Sequence, residues 1–288
     1  MRLTASDLLG RTAERQIYEW TERDYLLYAL ALGFGADVTR SAEFPFVYER
    51  DLKIVPTFPT VLAWLVEPTF ESLGADPESA LHVGQAIEIH RPLKSEESVA
   101  VTGIVVGIQD KGHGRGAIIA MRQEIRGLAD SRPIATLLTT CFARGAGGCG
   151  SAGELGSAAV FIPDRTSDHQ VSYDVRPDAA LLYRLTGDRN PLHADPRAAV
   201  AAGFPSPILH GLCTFGMTCR AVLERVVDWR AELIISQSAR FTGVVFPGDC
   251  LDIALWVEDG REVCFEVRVA GRGPVARGHA TLGSPISS

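Results

Sequence analysis

No apolar stretch in this 288-residue chain reaches eighteen residues before a charge interrupts it, so a membrane-spanning helix is not expected. A secretory leader is missing too. MRLTASDLLGRTAERQIYEW has no apolar run of the required length behind a basic head, and the chain is read as beginning near Met1 in the cytoplasm. Nor is there a basic stripe. A net charge of −7 offers little to neutralise a phosphate backbone, which excludes nucleic acid as a partner but leaves room for local contact with a phosphorylated cofactor. The cysteines show no framework: Cys141, Cys149, Cys213, Cys219, Cys250 and Cys264 form no CxxC pair, which fits a reducing compartment and thiols used as core filler.

What the chain does have is the material for a large core. Its hydrophobic content is 46%, and its length allows two domains of ordinary size or one large one. Composition breaks once, at Arg144–Ser157, where RGAGGCGSAGELGS is rich in Gly and Ser, has no hydrophobic period and reads as a linker. The expected division is a first unit at 1–148, a linker at 149–158 and a second unit at 159–288.

The two units share an order of features at an offset of about 150 residues. Tyr28–Asp37 (YALALGFGAD) precedes a prolyl apolar helix at Val55–Val66, and strands follow at Ala86–Ile89, Ser98–Ile108, Ala117–Ile125 and Thr136–Phe142. In the second unit Tyr183–Asp188 precedes an apolar helix after Ile208, and strands run from Ser236 to Leu282. There LDIALWV and VCFEVRV alternate on either side of Asp259-Gly260, a dipeptide suited to a tight hairpin. The expected class is α+β: a long helix packed on an antiparallel sheet, made twice, with the sheets edge to edge.

The chemistry concentrates between Tyr183 and Gly216, YRLTGDRNPLHADPRAAVAAGFPSPILHGLCTFG. Pro177–Thr186 reads as a short helix stopped by Gly187. Pro191 pushes Asn190 out of the helical region, so Asp188 and His193 must converge through a turn. Asp195 caps a second short helix with Pro196 at its first position, which accounts for that carboxylate without chemistry. Gly211–Val227 is long and apolar enough for a buried helix. Its first amides have no carbonyl partner within the helix, so the Gly211 N–H, with the dipole behind it, can face a developing negative charge.

Other patterns carry less. A zinc site built on His193, Asp195 and His210 fits no compact ligand spacing, no metal is expected, and His210 is read as a structural hydrogen-bonder. Gly112, Gly114 and Gly116 follow Asp110-Lys111 between strands and open no helix, so they form a flexible cationic loop and not a dinucleotide fingerprint. Leu62, Trp64 and Val66 read as ordinary core.

The string GDRNPLHADPRAAVAAGFPSPILHGLCTFG resembles the signature of the (R)-specific enoyl-CoA hydratases, the hydratase 2 or MaoC-like family of hot-dog folds. The first half is similar to the two-domain members in YALALGFGAD, VPTFPTVLA, IEIHRPL, DKGHGRG and RGAGGCG. The resemblance implies a double hot-dog in which only the second half keeps the catalytic turn, since GFGADVTR stands where the other half has GDRNPLH. It places the acid/base pair on Asp188 and His193, a water-orienting amide on Asn190 and the oxyanion donor on the Gly211 backbone. Thioester-ligand contacts fall on His82, Lys111 with Gly112, and Arg240.

The implied reaction is reversible hydration of trans-2-enoyl-CoA to (R)-3-hydroxyacyl-CoA, with no resident cofactor because CoA is part of the substrate. The alternatives are a dehydratase acting on acyl carrier protein substrates, a hot-dog thioesterase and a non-catalytic thioester binder. Phe34, Phe44, Phe46, Phe58 and Trp64 are candidates to line or block an acyl tunnel, and a homodimer is the assembly the resemblance suggests.

Overall fold

The structure, a computed structural model, describes residues 3–62, 80–156 and 160–283. Its centre is one antiparallel sheet of eleven strands. The first half contributes β1 Gln16–Trp20, β2 Leu81–Ile89, β3 Glu97–Asp110, β4 Ala117–Gly127 and β5 Pro133–Ala143, lying in the order β1-β3-β4-β5-β2. A two-residue strand, β6 Ala152–Gly153, pairs with β3. The second half contributes β7 His169–Asp174, β8 Ile234–Phe241, β9 Cys250–Glu258, β10 Glu262–Val269 and β11 Gly273–Leu282. From its outer edge inward their order is β7-β9-β10-β11-β8, the same succession as in the first half.

The halves meet where β2 pairs with β8, in a register running from Gly84↔Arg240 to Glu88↔Ser236. Each half thus covers the edge that the other would leave open. At the β9–β10 hairpin Asp259 and Gly260 take φ of 50° and 67°, the positive values that a two-residue turn matched to strand twist demands. Two outer strands went unforeseen, β1 and β7. Each is short, and β7 alternates buried and exposed residues over only six positions.

The helices are α1 Ala5–Leu8, α2 Glu22–Ala31, α3 Phe44–Val47, α4 Ala179–Tyr183, α5 Pro196–Ala201 and α6 Gly211–Arg225. The longest, α6, buries 12 of its 15 residues, as its nearly all-round apolar sequence requires. It packs on β8, β9, β10 and the first half's β2. The end of α2 closes over it at Gly216, where a Cβ would come within 2.5 Å of Leu32 Cδ2. In the prolyl segment of the first half the described residues form a 3-10 turn at Phe58–Leu62 in place of the expected helix, because Pro56 and Pro59 withhold backbone donors. Ala63–Val66, Trp64 among them, lie outside the described residues.

The Gly/Ser-rich segment is docked on the first half. Ala146 and Cys149 are buried. The Asp110 carboxylate accepts N–H bonds from Gly112 (2.8 Å), Gly148 (2.9 Å) and Gly150 (2.9 Å), tying the β3–β4 turn to this segment. Glycine at 147 lets the chains touch, since a Cβ there would stand 2.3 Å from the Gly112 carbonyl oxygen. All six cysteines are free thiols, with Cys250 exposed. Among the described residues no helix is long and apolar enough to cross a membrane.

Candidate active site

The stretch between α4 and α6 folds as its local chemistry dictates. A 3-10 turn at Arg184–Thr186 ends at Gly187, and Asp188 follows with its Oδ1 accepting the Asn190 N–H at 3.1 Å. Asn190 caps the next turn, Pro191–His193, by accepting the Leu192 N–H at 2.9 Å, which fixes its side chain at the start of that turn. Asp195 caps α5 through the Arg197 N–H. The chain then returns through Ile208 to the start of α6.

The turn brings Asp188 and His193 together. His193 Nδ1–H donates to the Ile208 carbonyl at 2.8 Å; a carbonyl only accepts, so in the neutral ring Nε2 carries the lone pair. That Nε2 stands 3.9 Å from Asp188 Oδ2. Burial pushes His193 below the ordinary imidazole value, against the opposing pull of Asp188 and of the bond to Ile208. His210, the residue before α6, lies stacked on His193 with ring centroids 3.7 Å apart.

Asp188, Asn190, His193, His210 and Gly211 line one cavity of about 310 Å³. Its walls are mostly apolar, with Leu81, Leu192, Phe204, Phe241 and Val244 among them. Gly211 opens α6 into this space, and its N–H has no carbonyl partner within the helix. The close approach of Phe241 suits glycine there: a Cβ would sit 3.2 Å from that ring.

Of the expected thioester contacts, His82 lines the same cavity, brought from the first half by β2. Its Nε2–H donates to the Gly84 carbonyl at 2.9 Å, and burial pushes it down to about 4. Lys111, Gly112 and Arg240 do not line this cavity. Lys111 Nζ donates to Gln109 at 2.6 Å in the β3–β4 turn, and Arg240 borders a separate cavity with Gly84, Ser238 and His279. The reason at 240 is the two-residue period of β8, which sends Phe241 into the Asp188 cavity and Arg240 to the opposite face.

The cation that does line the cavity is Arg144, the first residue of the Gly/Ser-rich segment. It donates to the Ala202 carbonyl at 2.8 Å and stands over the Phe204 ring. A lone arginine opening a glycine run was the available signal. None of Phe34, Phe44, Phe46 or Phe58 lines the cavity: Phe34, Phe46 and Phe58 are buried in the core, and Phe44 is exposed.

Asp188, His193 and His210 have one possible ligand atom each within 4.8 Å of the others. The carboxylate of this group is Asp188, not Asp195. Imidazole lone pairs lie in the ring planes, and rings stacked at 24° aim them side by side, which does not suit convergence on one ion.

Comparison with known proteins agrees with the architecture. The MaoC like domain matches residues 159–278, and the MFE-2 hydratase 2 N-terminal domain matches residues 18–145. A Mycobacterium tuberculosis protein with the double hot-dog fold superposes with a TM-score of 0.60 at 12% identity, a likeness of fold alone. The MaoC-like dehydratase from Phytophthora capsici superposes with a TM-score of 0.83 at 27% identity, over 97% of this chain and 99% of that one. 3-Hydroxyacyl-thioester dehydratase Y of Mycobacterium tuberculosis is 40% identical over 91% of each chain. Enoyl-CoA hydratase 2, peroxisomal, of Arabidopsis thaliana is 37% identical over 92% of this chain and 90% of its own. The chain belongs to the MaoC-like dehydratase and hydratase 2 family, a family of hydro-lyases with the double hot-dog fold.

Proposed function

We propose that this chain adds water reversibly to the double bond of trans-2-enoyl-CoA thioesters, giving the (R)-3-hydroxyacyl-CoA. One observation carries the reading: Asp188 Oδ2 and the lone-pair Nε2 of His193 are two acceptors 3.9 Å apart, facing the cavity into which α6 opens. A water between them donates one O–H to each and turns its oxygen lone pair toward the β-carbon. As the C–O bond forms, one of the pair takes a proton from that water. The same group, or its neighbour after transfer across the gap, returns a proton to the α-carbon, so one water is consumed and both groups are restored. Negative charge gathers on the thioester oxygen meanwhile, and the Gly211 N–H answers it from the end of the helix dipole.

The reverse direction, loss of water from a 3-hydroxyacyl thioester, uses the same atoms, and a relative carries the name 3-hydroxyacyl-thioester dehydratase Y. Acyl-CoA and acyl carrier protein substrates are told apart by comparing rates on both. The deciding assay follows loss of enoyl absorbance on enoyl-CoAs of increasing length, with chiral analysis of the product. Free thiol released without 3-hydroxyacyl product would replace hydration by thioester hydrolysis.

The acid side of kcat/KM should hold to below pH ~6.5, the ordinary imidazole value. Protonating Nε2 removes the acceptor that holds water, and burial delays that protonation to lower pH. A pH–rate profile with its acid limb above that value would contradict the assignment to His193. A second expectation concerns the clamp at the β3–β4 turn. In Asp110→Ala the three glycine amides lose their acceptor, and the segment leading back to Arg144 loosens. Steady-state kinetics should show KM for the thioester rising roughly three- to tenfold with kcat within about twofold.

A further inference from the structure

We propose that His210 is a positioning residue for the reaction, holding Asp188 and His193 in register with Gly211 and supporting the His193 imidazolium when it forms. The inference rests on the hydration reading above. His210 is the N-cap residue of α6, yet its side chain makes no cap bond. Its Nε2–H instead donates to the Asp188 backbone carbonyl at 3.2 Å. The same imidazole lies on His193 at 3.7 Å with the ring planes 24° apart. One side chain thereby touches the acid/base aspartate through its carbonyl and the histidine through its face, and it adjoins the helix-start amide in sequence.

A plain packing role does not account for this residue. His210 is 1% exposed, and its Nδ1 has no hydrogen-bond partner among the described residues. A buried, unpaired ring nitrogen is a cost that phenylalanine would avoid. The N–H toward Asp188 is what histidine adds at this position.

Electrostatics points the same way. The titratable and charged groups around the stacked rings are Asp188 from the turn, Arg184 and Tyr183 from the end of α4, and, across the cavity, His82 from β2 and Arg144 from the segment after β5. Burial holds His210 well below the ordinary imidazole range, and the neighbouring His193 and Arg184 add to that. Two stacked imidazolium rings would repel, so the pair takes at most one proton. With His210 neutral, that proton belongs on His193, and the face of the His210 ring lies against the cation.

Two substitutions separate these contributions. His210→Phe keeps a flat aromatic face and removes the N–H. Its kcat for enoyl-CoA hydration should fall about tenfold with KM within about twofold, because the turn loses its anchor while the substrate walls stay. His210→Gln keeps an N–H that reaches Asp188 and removes the ring. It should recover at least about threefold of that loss, and the acid limb of its kcat/KM profile should move to lower pH by about half a unit, since the imidazolium loses its aromatic neighbour. His210→Phe should keep the wild-type limb. The inference is overturned if both variants turn over within twofold of wild type, or if the limb of His210→Gln does not move. Should His210→Phe fail to fold, as read by circular dichroism, the limb of His210→Gln decides alone. A wild-type protein that hydrates no enoyl-CoA removes the hydration reading itself, an outcome distinct from either of these.

Discussion

Asp188→Asn and His193→Gln should each slow enoyl-thioester hydration by at least about a hundredfold while the protein stays folded. An asparagine at 188 keeps the side chain's shape and can still accept the Asn190 N–H, but a carboxamide neither takes nor returns a proton. A glutamine at 193 can donate to the Ile208 carbonyl as the imidazole does, yet it has no basic nitrogen to offer the water. Neither change strands a buried charge, because burial disfavours the charged form of His193 and, among the described residues, no Lys or Arg side chain pairs with Asp188. Circular dichroism and the denaturation midpoint should therefore stay close to wild type.

KM should also change little, since the lost interaction is made to the reacting water and not to the thioester; kcat and kcat/KM should fall together. The two groups serve one water, so the double variant should drop much less than the product of the single losses. Near wild-type turnover in both single variants would remove the mechanism, and a large rise in KM at constant kcat would move these residues from chemistry to binding.

Much of this site was legible in the sequence because its geometry is local. Pro191 fixes the turn, Gly187 and Asp195 bound it, and the apolar run from Gly211 announces the helix whose first residue lines the cavity. The repeated order of features anticipated two equivalent half-sheets, and the long alternating strands β9 and β10 with their Asp259-Gly260 hairpin were plain. Contacts made across the sheet were harder to read. Which of Arg240 and Phe241 reaches the Asp188 cavity depends on which face of β8 looks inward, a property of register that one residue's shift inverts. Arg144 was hidden because glycine-rich composition signals backbone freedom, and here that freedom lets the segment lie tightly on the β3–β4 turn. The stacking of His210 on His193 joins residues on two separate turns, and no periodicity encodes it.

Glu43→Ala should be the costliest single substitution in the core, lowering stability by about 3–5 kcal/mol. Glu43 is 1% exposed and accepts from Arg220 of α6 at 2.7 Å, while its second oxygen accepts the Gly35 N–H at 2.8 Å. Arg220 is itself buried, with its guanidinium over the rings of Tyr173 (4.4 Å) and Phe34 (5.2 Å). Truncation at 43 leaves the buried Arg220 cation uncompensated and the Gly35 amide unpaired, while Arg40, 3.5 Å from Glu43, keeps its contact with Glu224 at 3.4 Å.

Against a total of about 5–15 kcal/mol for an ordinary domain, such a loss is large. Removing both charges is another matter: Glu43→Leu with Arg220→Met exchanges a desolvated ion pair for apolar packing and should recover most of the stability. Denaturant unfolding of Glu43→Leu, Arg220→Met and the double variant would measure the coupling. The pair joins the first half's Leu32–Glu43 segment to the helix that begins at Gly211, so the single variant should also lose hydration rate at temperatures where it is still folded. A double variant as unstable as Glu43→Ala, or a Glu43→Ala midpoint equal to wild type, would show that packing alone holds α6 against the first half.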